Sequence, residues 1–203
     1  MTRLSAGLIW LALGCAIAVP FAIAATSPLL AWRQPVYIAA GLAGVVALAL
    51  MLLQPLLAGG HLPGLPAPRG RRLHRLAGIL LIAAVVVHVA GLWVTSPPDV
   101  IDALLFVSPT PFSDWGVIAM WALFAAGLLA ALHRWSRLRP RIFRLAHTAT
   151  VCVAVAGSIA HALLIEGTMG DVSKAVLCVL VVLALARTIA GLRTWTLLRR
   201  RRA

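Results

Sequence analysis

Four histidines lie within two hydrophobic stretches of the sequence and share one interval. His74 and His88 are fourteen residues apart, and so are His147 and His161. On an α-helix, fourteen residues turn through about 1,400°, about 40° short of a whole number of turns, and rise by about 21 Å. Each pair therefore shares one helix face at two depths. Two such helices side by side would form two stacked bis-imidazole sites, which suits b-type haem iron because it takes an axial nitrogen from either side.

Two other interpretations of these histidines are interhelical hydrogen bonds and a non-haem metal or proton pathway. An ionisable side chain inside a membrane span indicates function by default. Neither alternative requires the same fourteen-residue interval on two helices, so the repeated interval favours haem.

The composition predicts an integral membrane protein. Of 203 residues, 62% are hydrophobic and 11% are charged, and the mean hydropathy is +1.00. A bilayer core needs about twenty apolar residues per helix. We therefore predict an all-α bundle of six transmembrane helices in a single domain, residues 1–203, with spans at about 5–25, 36–57, 73–94, 115–133, 143–165 and 172–191.

Charge predicts how the bundle is oriented. Arginines cluster at alternate ends of the spans, and these ends are cytoplasmic by the positive-inside rule. Both termini are then cytoplasmic, in a multi-pass protein of the inner (plasma) membrane. The arginines concerned are Arg3, Arg69, Arg71, Arg72, Arg75, Arg134, Arg137, Arg139, Arg141, Arg144, Arg187, Arg193 and those up to Arg202. The opposite ends hold all five acidic residues, Asp99, Asp102, Asp114, Glu166 and Asp171, with Arg33 and Lys174.

The net charge of +13 does not indicate a nucleic-acid partner. The cations flank membrane helices in short loops and do not cover a soluble module. Membrane lipid is the expected partner, because an arginine-rich tail is attracted to the anionic inner leaflet.

Depth predicts which histidines meet. With the amino terminus inside, the third and fifth spans both run outward. His74 and His147 then share the inner depth, and His88 and His161 the outer one. Arg75 and Arg144, with Arg71 and Arg72, are candidate partners of the inner haem propionates, although setting the topology would explain the same arginines. Small residues near the histidines could admit a haem or serve close helix packing; they are Gly78, Ala84, Gly91 and Gly157.

Several other features predict no site of their own. His61 and His133 echo the spacing of the four histidines, but their neighbours differ, so we predict neither ligands nor an internal repeat. The cysteines lack a CxxC spacing and are expected to pack within spans. In the long outer loop, the segment DVIDALLFV is expected to lie on the bundle surface, either as ordinary packing or above the outer haem.

The arrangement resembles the ferric-reductase-like transmembrane domain, the six-helix di-haem module of ferric-chelate reductases and NADPH oxidases. There the third and fifth helices each carry two histidines thirteen or fourteen residues apart, matched here by His74 and His88 and by His147 and His161. It is also similar to short bacterial members, including the haem-binding subunit that feeds a periplasmic methionine-sulfoxide reductase. The resemblance implies two haem b groups with these four histidines as axial iron ligands. The chain stops about ten residues after its last span, so we expect no built-in flavin or NADPH domain.

The expected function is transmembrane electron transfer, as an oxidoreductase subunit. The donor would be a cytoplasmic flavin reductase or a quinol, and the extracytoplasmic acceptor ferric iron or a periplasmic redox protein. The alternative is a non-redox transporter or assembly subunit whose histidines bind a metal or proton. Transporters tend to break helices at mid-membrane, whereas Pro20 and Pro55 lie toward helix ends and the last four spans lack proline.

Overall fold

The computed structural model describes residues 3–133 and 139–191. Seven helices make up most of this part, and it contains no strand. Six of the helices are long and apolar enough to cross a membrane, and α4 is short. This confirms the predicted all-helical bundle with six spans. The helices are α1 (Arg3–Ala25), α2 (Pro35–Ala58), α3 (Ala67–Thr95), α4 (Pro97–Leu104), α5 (Pro111–Leu132), α6 (Pro140–Leu164) and α7 (Asp171–Gly191).

Proline marks where most of these helices begin. A proline occupies the first turn of α2, α3, α4, α5 and α6, where its missing N–H costs no hydrogen bond. As a result α3 begins at Ala67, α5 at Pro111 and α6 at Pro140, six, four and three residues before their predicted spans. Hydropathy detects only the apolar part of a helix, whereas the backbone stays helical through the polar turns next to it.

The apolar segment of the long loop forms α4. Val100 in this helix is buried, and α4 packs against α3 and α5. A short helix packed on the ends of two spans is the surface element that the sequence predicted.

The bundle is built from two tightly packed hairpins. The helix pairs α2–α3 and α5–α6 have by far the closest backbone packing. α7 packs mainly on α2, and more lightly on α6 and α1, while α3 touches α5. The helices α3 and α6 are not a closely packed pair. The hairpins are therefore held together mostly through α7 and α5, and the facing sides of α3 and α6 are separated.

The apolar core lies between α2 and α7. Leu177 and Val181 of α7 are the largest fully buried side chains, and they pack in one cluster with Leu48 and Leu52 of α2. At one end of this interface the Thr188 hydroxyl donates a hydrogen bond to the Pro55 carbonyl over 2.9 Å.

Large apolar side chains cover the outside of the bundle. Leu11, Ile79, Leu128 and Leu183 are each more than half exposed, and such a surface is compatible with lipid and not with water. With its six spans, the chain is a multi-pass membrane protein.

Charged residues separate to the two ends. The first turns of α3 and α6 carry arginines at residues 69–75 and 139–144, and we call this the basic end. The acidic residues lie at the opposite, acidic end. There Lys174 is buried, donates to the Ile165 carbonyl over 2.6 Å and pairs with Asp171 at 3.1 Å. Outside the described residues lie Arg134, Arg137 and the arginines from Arg193 to Arg202.

The packing of the α2–α7 core leads to a prediction about stability. We expect Leu177→Ala to lower the free energy of unfolding in detergent by about 2–3 kcal/mol, because it leaves a cavity among packed side chains. Leu183→Ala on the same helix is the matched control, since Leu183 is 59% exposed and should cost little. Equal thermal stability of the two variants would contradict this packing.

Candidate functional site

The four histidines lie half-buried on α3 and α6, between the two hairpins. The rings of His88 and His161 lie toward the acidic end, 6.4 Å apart between centroids, with their planes 81° apart. His74 and His147 lie toward the basic end, one on each of these two helices. These are the pairs that depth on parallel helices predicts. Ligation of iron by them stays a prediction.

The separation of His88 and His161 fits one iron between two imidazoles. A bond from a metal ion to imidazole nitrogen is about 2 Å, so two rings opposite each other on one metal have centroids roughly 6 Å apart. Each pair supplies only two nitrogens, and no group of three or more metal-binding side chains occurs in the described ranges. Two axial nitrogens are what haem iron takes from a protein, because the macrocycle fills its other four positions.

Hydrogen bonds fix which nitrogen of each acidic-end ring stays free to bind a metal. His88 Nδ1 donates to the Ala40 carbonyl on α2, and His161 Nδ1 donates to the Phe112 carbonyl on α5, each over 2.8 Å. A carbonyl can only accept, so Nδ1 carries the proton and Nε2 keeps its lone pair. A backbone carbonyl on the second ring nitrogen is the usual support of a metal-binding histidine.

Glycines make these two bonds possible. Gly44 and Gly116 follow the acceptor residues Ala40 and Phe112 by four positions. On a helix each Cβ tilts toward the preceding turn, so a side chain there would cover the carbonyl one turn back. A Cβ at Gly44 would lie 3.0 Å from His88 Nδ1, and one at Gly116 only 2.6 Å from the Nδ1 of His161.

The histidine rings at the basic end have weaker hydrogen bonding at Nδ1. His74 Nδ1 donates to the Gln54 carbonyl over 3.2 Å, and the Gln54 amide donates back to the His74 carbonyl over 3.3 Å. The Nδ1 of His147 is buried without a hydrogen-bond partner among the described residues. The Ala126 carbonyl interacts with this ring, but not in the geometry of a hydrogen bond. Instead, the ring of His147 stacks on Phe143, with centroids 5.5 Å apart.

The two hairpins repeat the same contacts. Gly116 follows Gly44 by 72 residues, and Phe112 follows Ala40 by the same interval, while the histidines of α6 follow those of α3 by 73. We predicted no internal repeat, because the flanking side chains differ. The repeated partners are backbone carbonyls, which leave no mark on the side-chain sequence. The signal that could have revealed them is the matched spacing of the two glycines.

Two of the four small residues singled out in the sequence serve close helix packing. A Cβ at Gly91 would lie 2.7 Å from the Ala40 Cβ, and one at Gly157 would lie 2.9 Å from the Trp115 carbonyl. Both are close contacts inside a hairpin. Gly78 faces the Gln54 side chain at ordinary contact distance. Of the two roles that the sequence left open, close helix packing is the one that the structure supports for Gly91 and Gly157.

The two remaining histidines lie outside the pairs, at the basic end. His61 follows α2, and a Cβ on Gly59 would lie 2.5 Å from its Nε2 and 2.9 Å from the Thr188 hydroxyl. Burial, followed by the charge of Arg187, lowers the pKa of His61. His133 ends α5 and stacks on Phe143 with centroids 3.9 Å apart.

The two candidate propionate partners lie at the basic end. Arg75 directly follows His74, and Arg144 precedes His147 by three residues. Both side chains are exposed, and neither forms a salt bridge within the described part of the chain. Both guanidinium groups are therefore available to an anionic group near the basic-end pair.

The two glycines next to the acidic-end rings give a direct test. We expect Gly116→Ala to weaken haem binding at the acidic end about 10–100-fold, which is the usual cost of disturbing the hydrogen-bond partner of a metal ligand. Less haem should then remain on the purified protein. Gly44→Ala should have a smaller effect, because its Cβ would press less closely on the ring. Gly41→Ala is the control, since nothing lies within 4 Å of a Cβ there. The measurement is haem per chain after purification, and equal haem content in all three variants would contradict the prediction.

Comparison with known proteins places this geometry in a family. A family model described as the ferric reductase like transmembrane component matches residues 43–158, more than half of the chain. The match includes His74, His88 and His147 and ends three residues before His161. No curated protein and no solved structure matches. The chain thus belongs to the ferric-reductase-like transmembrane family, whose members generally bind haem and carry electrons across membranes.

Proposed function

We propose that this protein carries electrons across the inner (plasma) membrane through two b-type haems, one held by His88 and His161 and the other by His74 and His147. The observation that carries the proposal is the acidic-end pair. Its rings are 6.4 Å apart, and both Nδ1 atoms are occupied by carbonyl hydrogen bonds of 2.8 Å. Both Nε2 lone pairs are then available to iron.

The distance between the two pairs supports a pathway across the bilayer. Fourteen residues of helix separate the pairs by about 21 Å along the axis, and the hydrocarbon core is about 30 Å thick. When bound, each haem supplies an iron that accepts and releases one electron. Two sites at these depths bring both sides of the membrane within reach, which one site could not do.

The two histidines proposed for each iron determine the chemistry of the haem sites. Two histidines on each iron leave no open coordination position, so the protein would pass electrons and not bind oxygen at the metal. Arg75 and Arg144 would bind the propionates of the basic-end haem. On this assignment the protein is the electron-transfer subunit of an oxidoreductase.

Charge supports a direction for the transfer. The basic end would face the cytoplasm and receive electrons from a flavin reductase, whose acidic surface it would attract, or from a quinol in the membrane. The acidic end would face an extracytoplasmic acceptor, either ferric iron or a cationic redox protein. Outward movement of an electron is favoured by about 2.3 kcal/mol per 100 mV for a full crossing.

A haem count with histidine variants tests the proposed function. Purified protein should carry two low-spin b haems. His88→Ala or His161→Ala should remove the acidic-end haem alone, and His74→Ala or His147→Ala the basic-end haem alone, because each iron loses one axial nitrogen. The readouts are haem per chain and the reduced-minus-oxidised spectrum. Haem-free protein from cells with ample haem would refute the function.

The orientation is tested separately. A reporter fused to the carboxyl terminus should read cytoplasmic, and one inserted near Ser108, between α4 and α5, should read extracytoplasmic. The control is a second insertion in the connection of residues 59–66, which should agree with the carboxyl terminus. The opposite pattern would reverse the proposed direction of electron flow while leaving the haem sites in place.

A further inference from the structure

His147 is held differently from the other three histidines of the pairs. Its Nδ1 is buried without a hydrogen-bond partner among the described residues, whereas each of the others donates to a backbone carbonyl. That bond normally fixes the ring plane of a metal-binding histidine. Another contact must fix His147 if it binds iron.

Ring stacking is the contact that His147 does have. Phe143, one turn earlier on α6, lies parallel to it, with 18° between the planes and 5.5 Å between the centroids. Phe143 also stacks on His133, which directly follows α5, at 3.9 Å and 19°. Three nearly parallel rings therefore run from the connection between α5 and α6 to the basic-end pair.

The absence of the hydrogen bond has a local cause. At the acidic end glycine follows each acceptor carbonyl by four residues, and the bonds are 2.8 Å. At the basic end alanine takes this position, as Ala58 after Gln54 and Ala130 after Ala126. The Cβ of a helical residue lies over the carbonyl one turn back. In line with this, the bond to Gln54 is 3.2 Å, and the contact of the Ala126 carbonyl with the His147 ring falls outside hydrogen-bond geometry.

We propose that Phe143, backed by His133, positions His147 for iron in place of the missing hydrogen bond. The inference rests on the proposed function. A carbonyl bond both fixes an imidazole and makes it a stronger ligand, whereas stacking only fixes the plane. The basic-end haem thus has one strengthened ligand, His74, and one unstrengthened ligand, His147, and its binding depends on an aromatic ring at residue 143.

The test uses full-length protein in a His88→Ala background, so that only the basic-end haem contributes. We expect Phe143→Leu to weaken haem binding about 10–100-fold and to convert part of the ferric haem from low to high spin, as His147 leaves the iron. Phe143→Tyr keeps the flat ring and should retain both properties. Phe124→Leu is the control, because its ring contacts Trp121 at 5.9 Å and should leave the spectrum unchanged.

Two further variants separate ring stacking from other roles. His133→Phe should preserve the low-spin spectrum, because it keeps the stack without a metal-binding nitrogen, and His133→Leu should weaken haem binding. The comparison of His133→Phe with His133→Leu also tests the stacking role if Phe143→Leu does not fold. Ala130→Gly should expose the Ala126 carbonyl to His147 and so restore low-spin haem to the Phe143→Leu variant. It should also lower the midpoint potential of the haem, by about 59 mV for each tenfold gain in ferric over ferrous affinity.

The outcomes distinguish this inference from the proposed function. Equal behaviour of Phe143→Leu and Phe143→Tyr, or of Phe143→Leu and Phe124→Leu, would overturn the stacking role while leaving two haems in the native protein. Native protein without haem would overturn the proposed function, and this inference with it.

Discussion

The site depends on how closely a histidine ring can approach a backbone carbonyl of a neighbouring helix. In lipid no water can satisfy a ring N–H, so a partner must come from the protein. A helical carbonyl already accepts one backbone bond, and a Cβ one turn later lies over its second lone pair, so glycine at that position leaves the carbonyl most open. Gly44 and Gly116 meet that condition at the acidic end. The tight packing inside each hairpin, with its close contact at Gly91, brings the two helices of the hairpin together.

The histidine rings are held in different ways at the two ends of the bundle. At the acidic end both rings are fixed by short bonds to two different hairpins. At the basic end one ring has a longer bond and the other is stacked on Phe143. On the proposed function, the end that meets the donor has the less constrained ligand.

Much of the fold could be predicted from the sequence, because the length of each hydrophobic stretch is a property of its side chains. The four histidines of α3 and α6 were found by their interval, and the apolar segment that became α4 by its composition. Helix starts were placed late, because hydropathy does not detect the polar first turns at Ala67 and Pro140. The partners of the histidines could not be predicted, since Ala40, Gln54 and Phe112 act through their carbonyls, a group that every residue has. The role that we propose for Phe143 could not be predicted, because the argument for it starts from the unpartnered Nδ1 of His147.

The separation of α3 from α6 bears on how the protein is assembled in the cell. Each hairpin satisfies its own backbone and packs within itself, so it can enter the membrane as a unit soon after synthesis. Each histidine pair joins residues 73 positions apart, one from each hairpin. On the proposed function, a haem held by both would act as a non-covalent cross-link and would stabilise the joined state over the separated one by mass action. Haem supply would then govern the lifetime of the finished bundle, and chains made faster than haem would be exposed to membrane proteases as two loosely associated halves.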